Sequence, residues 1–156
     1  MLIFTQEKIM PKVERSHWLP YPQEIVYTTL TDVNILASVI KRIQKIEVIR
    51  QQENEGEVKV ILDIPFHKLS ESIGYVKGIP QEQLFFRTEK PFQMEFTWKL
   101  IPKEKSGSAG TEVQGSMEID LSSFVPGFSN FLVEALLASE LDADLKRLEE
   151  WMKKHA

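Results

Sequence analysis

Between Phe92 and Leu100 the chain alternates without a break. Phe92, Met94, Phe96, Trp98 and Leu100 are apolar, and Gln93, Glu95, Thr97 and Lys99 between them are polar. Successive residues of a strand point to opposite faces, so this stretch reads as a strand with one dry and one wet side. Val113, Met117, Ile119 and Leu121 repeat the pattern against Glu112, Gln114, Ser116, Glu118 and Asp120. Val58, Val60, Leu62 and Ile64 do so again, with Ile61 alone out of step. A parallel sheet covered on both faces would show unbroken apolar runs instead. The chain therefore calls for an antiparallel sheet with one face to cover.

Turn residues punctuate these segments at short intervals: Glu53–Gly56, Pro65–His67, Gly78–Pro80, Glu89–Pro91 and Lys103–Gly110. They predict six strands over 44–52, 56–64, 68–78, 82–89, 92–102 and 111–121. Links this short force neighbouring strands to be antiparallel, which makes a meander. Ahead of it, Lys12–Leu19 reads as a strand ended by Pro20. A short helix over 22–31 follows, with Pro22 at its first position. A second short helix runs through Ile35, Leu36, Val39 and Ile40, capped by Asp32 or Asn34. The C-terminus predicts one long helix over 129–154. Leu137, Leu141, Leu145, Leu148 and Met152 form a single apolar stripe on it, and Lys153 and Lys154 sit where the helix dipole favours cations.

Composition narrows the function. With 156 residues and no cysteine, thiol catalysis and cysteine-based zinc sites are excluded. A net charge of −4 without a basic stripe argues against nucleic-acid binding. No apolar run approaches the ~18–20 residues of a membrane span, and Met1–Phe4 lacks the basic start of a signal peptide. A cytoplasmic location is the expectation. Met10 suits a natural start, which divides the chain into a single domain over 10–156 and an N-terminal extension over 1–9.

One helix about 10 Å wide cannot fill a broad, curved sheet. Either large side chains plug the gap or a pocket remains.

The order of strand, two short helices, six-strand meander and long helix resembles the START-like, or SRPBCC, helix-grip superfamily. Pro11–Ser16, Leu19–Tyr27 and Leu30-Thr31-Asp32 are similar to the opening of its polyketide-cyclase and coenzyme-Q-binding branches. Leu141–Glu149 looks like the end of its grip helix. Val39–Lys45 departs from the aromatic, proline- or glycine-rich stretch those branches often carry there. The resemblance implies an α+β fold whose seven-stranded curved antiparallel sheet wraps the C-terminal helix around an apolar cavity. By strand parity, Val60, Leu62, Ile73, Tyr75, Phe86 and Met94 would line that cavity. Phe96, Trp98, Met117 and Ile119 would join them, with Leu132 and Leu136 from the helix.

Chemistry-bearing residues are sparse. His17, His67 and His155 share no metal-ligand spacing, and no motif asks for a cofactor. Glu71 and Tyr75 share parity with Leu69 and Ile73. Facing inward, they would set a carboxylate and a phenol in an apolar pocket, where burial makes a glutamate a plausible acid or base. A twist or bulge would turn Glu71 outward instead. Three phenylalanines, Phe124, Phe128 and Phe131, fall where the last strand meets the helix. They suit a cavity gate, an apolar edge for transient membrane contact, or a plug over the open end. The reading is a binding or carrier domain for a lipid, isoprenoid or polyketide-like molecule. The alternatives are a cyclase or dehydratase using Glu71, Tyr75 or His17, and a protein-interaction module without a small ligand.

Overall fold

Proline cannot donate to a strand ladder, and β1 (Lys12–Leu19) stops at Pro20. Helix α1 (Gln23–Thr31) starts after Pro22, which takes the flanking cap position and not the first helical one. Helix α2 (Val33–Val39) is capped by Asp32, whose carboxylate accepts from the Asn34 and Ile35 amides at 2.9 and 3.2 Å. These two donors have no partner inside the helix, so the cap decides where it begins. The computed structural model describes residues 12–63, 69–90, 93–120 and 130–155, the last with side chains from Glu134 onward.

The meander follows as β2 (Ile43–Gln52), β3 (Glu55–Leu62), β4 (Ser70–Ile79), β5 (Gln83–Thr88), β6 (Met94–Lys105) and β7 (Ser108–Ile119). All neighbours are antiparallel, in the order β1-β7-β6-β5-β4-β3-β2. The result is the α+β helix-grip architecture, a curved seven-stranded sheet with a long terminal helix and two short helices after β1. Irregular register at Ile43/Lys45 and Val48/Arg50 in β2 adds bend at that edge.

Alternation becomes packing through register. Met94 pairs with Ile119, Phe96 with Met117 and Leu100 with Val113, all six buried on the concave face. Trp98 pairs with Gly115, where a side-chain carbon would lie 2.9 Å from Leu141 and 3.1 Å from the Trp98 ring. That glycine lets the last helix, α3 (Asn130–His155), sit close over the sheet. Its stripe Leu137, Leu141, Leu145, Leu148 and Met152 is fully buried.

α3 lies over β1 and β7 and also touches α2. Charged groups hold it on both flanks. Toward β1, Asp142 meets Arg15 at 3.3 Å and Glu149 meets His17. Toward the α2–β2 junction, Glu140 binds Arg42, Asp144 accepts from the Lys41 amide at 3.5 Å, and Arg147 donates to the Val39 carbonyl at 2.7 Å. Covering one end of the sheet leaves its β2–β6 part to α1 and α2.

One strand contradicts the parity expected of it. On β4 the inward positions are Ser72, Gly74, Val76 and Gly78, whereas Glu71, Ile73 and Tyr75 face out. Ile73 is 50% exposed. The reason is volume: a side-chain carbon at Gly74 would lie 2.2 Å from the Phe86 ring, and one at Gly78 would lie 2.1 Å from the Tyr27 hydroxyl. Neighbouring aromatic rings fill the inner face of β4, so its own inward residues are small.

Candidate functional site

α1, α2 and the concave faces of β2 to β6 enclose a mainly apolar cavity of about 270 Å³. The helices contribute Tyr27, Leu30 and Leu36, and the α2–β2 junction Ile40 and Arg42. Ile43, Ile46 and Val48 of β2 close one flank, and Leu62, Val76 and Leu84 the floor. Phe86, Met94, Phe96 and Trp98 form the far wall, with the Phe86 and Phe96 rings tilted at 6.1 Å between centroids. Val48 is 48% exposed, and Gln51 at the end of β2 and Glu53 and Asn54 on the β2–β3 turn are exposed lining residues, so this side meets solvent.

Of the expected lining residues, Leu62, Phe86, Met94, Phe96 and Trp98 face this space. Val60, Met117 and Ile119 are buried in the core but are not among its described lining, and neither is the half-buried Leu136. For Met117, Ile119 and Leu136 the cause is where α3 sits: it packs directly on β7, so β7 and the helix fill each other there. Ile73 and Tyr75 lie on the opposite face of the sheet, as shown above. The Leu132 and Phe131 side chains, Phe124, Phe128, Phe92, His67 and residues 1–9 lie outside the described residues.

The candidate acids and bases do not converge. Glu71 points to solvent and pairs with Lys59 at 3.2 Å. Tyr75 donates to Glu55 at 2.8 Å, and that hydrogen bond raises its pKa, with burial adding to it. His17 is held by Glu149 at the other end of the sheet, and that bond, then Lys153, keeps the glutamate below its usual range. Among the described residues no three His, Asp or Glu side chains gather as a metal-binding group. Among the described residues no helix is long and apolar enough to cross a membrane.

Parity along the strands missed the walls formed by α1, α2 and β2. Two signals pointed to them: the apolar face of Ile35, Leu36, Val39 and Ile40, and glycines 74 and 78 at alternate positions of one strand, which mark close approach.

Neither a family model nor a curated protein sequence matches the chain. Solved structures share its fold. A protein from Thermus thermophilus aligns with a TM-score of 0.73 at 23% identity, covering 90% of this chain and 95% of its own. The Zhui aromatase/cyclase from Streptomyces aligns at 0.73 and 16% identity, covering 94% and 95%. A START superfamily protein from Mycobacterium smegmatis aligns at 0.71 and 16% identity, covering 93% and 99%. The START-like helix-grip fold implied by the sequence is thus the fold of these neighbours.

Proposed function

We propose that the protein binds or carries a hydrophobic small molecule in the cavity between α1, α2 and the sheet. The observation that carries this is the cavity itself: about 270 Å³, just below the ~300–1,000 Å³ of typical ligand pockets, and walled by aliphatic and aromatic side chains. Burial of apolar ligand surface at about 25 cal/mol per Å² would drive uptake, with shape outweighing individual contacts. Its neighbours in fold include an aromatase/cyclase and a START superfamily protein, and a greasy ligand is compatible with both.

The scatter of Glu71, Tyr75 and His17 favours holding over converting. An enzyme of the cyclase kind needs at least two polar groups within hydrogen-bond reach of one point, and these three residues do not supply it. Native mass spectrometry of protein purified from its own host, followed by organic extraction, tests the proposal. A bound apolar compound is expected. A ligand-free protein that also takes up no apolar probe at saturating concentration would reject it.

A further inference from the structure

Among the described lining residues, the polar groups of the cavity gather mainly at one end. Near Ile43, Leu62 and Met94 the one charged residue of the described lining is Arg42, whose guanidinium is taken by Glu140 and by the Asp63 carbonyl at 2.8 Å. Tyr27, Gln51, Asn54 and Glu55 gather at the β2–β3 end instead. Arg50 is there too, paired with Glu57 at 3.3 Å and Glu55 at 4.0 Å. Both arginines of the described lining are thus committed to carboxylates, and Glu53 and Glu55 balance their charge. An anion entering this space would shed its water without gaining a free cation from the described lining.

Tyr27 is the one of these polar groups that packs against the core, whereas Gln51 and Asn54 are exposed. Its hydroxyl lies over Gly78, the only residue type that leaves the oxygen room there. Burial raises its pKa, so the phenol keeps its proton at neutral pH. No hydrogen bond to a described residue uses that hydroxyl, which can donate once and accept as well.

We infer that the cavity takes a compact, uncharged ring compound bearing a hydroxyl or carbonyl oxygen, its rings against Phe86, Phe96 and Trp98 and its oxygen hydrogen-bonded to Tyr27. This rests on the cavity being a ligand site. Size follows from volume: about 270 Å³ is the space of about nine liquid waters, which suits two fused rings.

Equilibrium dialysis with naphthalene, 1-naphthol and 1-naphthoate, on the wild type and Tyr27→Phe, tests the inference. The wild type should bind 1-naphthol tightest and 1-naphthoate weakest. Tyr27→Phe should lose about three- to tenfold for 1-naphthol and nothing for naphthalene, the range of one net hydrogen bond. Equal 1-naphthol affinity in both proteins, or 1-naphthoate as the best wild-type ligand, overturns the inference and leaves the carrier reading standing. If none of the three binds to the wild type, the inference fails; the carrier reading fails with it only if native extraction also yields no bound compound. The wild-type ranking decides the matter even if the variant folds poorly.

Discussion

The Arg147 guanidinium donates from Nε to the backbone carbonyl of Val39 at 2.7 Å. Through Nη2 it also holds the Asp144 carboxylate, which accepts from the Lys41 amide at 3.5 Å. The middle of α3 is thereby fixed to the junction where α2 hands over to β2. Ile40 and Arg42 of that junction line the cavity, so the helix that lies beside the cavity still sets one of its walls.

Removing Arg147 should therefore cost more than a surface charge does. Asp144 is 3% exposed and would be left buried without its cation, and the Val39 carbonyl would lose its donor. Arg147→Ala is expected to lower stability by about 3 kcal/mol, read from the urea midpoint at pH 7.5. A loss below about 1 kcal/mol would show the junction is held by packing alone.

Asp144 gives stability an unusual pH dependence. Burial raises its pKa from an ordinary 3.8 to about 6, despite the opposing pull of Arg147. The folded state then binds the proton more tightly than the unfolded chain. This group's contribution is most favourable below about pH 4 and falls as pH rises through about 6, by on the order of 2–3 kcal/mol. Glu149 acts in the opposite sense. Its depressed pKa gives stability that is lost only as pH falls below the usual carboxylate range. Between pH 5 and 7.5 the wild type should lose stability and Asp144→Asn should lose less. Identical slopes in urea titrations would contradict this.

Gly74 should resist substitution for steric reasons. A side-chain carbon there meets Phe86 Cε2 at 2.2 Å and Cζ at 2.7 Å, and Phe86 is a cavity wall. Gly74→Ala is expected to cost about 1–3 kcal/mol and to weaken uptake of an apolar probe together with it. Wild-type values in both measurements would mean the ring yields freely.

Most of the fold was legible because alternation and turn chemistry are local. β1 matches its expected bounds, every meander strand falls within three residues of its expectation at each end, and the stripe on α3 is buried as its spacing requires. The site was only half legible. Phe86, Met94, Phe96 and Trp98 follow from parity within long strands, but β4 misleads because its inward residues are small. Hydropathy counts what a residue carries; it is blind to a ring borrowed from Phe86 or Tyr27 across a glycine. Nor does a stripe on α3 reveal which strands it will cover. That depends on pairs distant in sequence, Arg15 with Asp142 and Arg42 with Glu140, which no local pattern connects.

Everything functional here depends on open space between α1, α2 and the sheet, and Val76 offers a way to fill it. This residue lines the cavity and pairs with Phe86 across β4 and β5. Val76→Phe should place its added ring in the void, at a cost of no more than about 1–3 kcal/mol. Titration with the neutral dye N-phenyl-1-naphthylamine, followed by fluorescence, then compares the two proteins. The wild type is expected to saturate at one dye per chain and the folded variant to take up none. Equal uptake by both, or a folded wild type that binds no dye, would contradict a ligand cavity at this place.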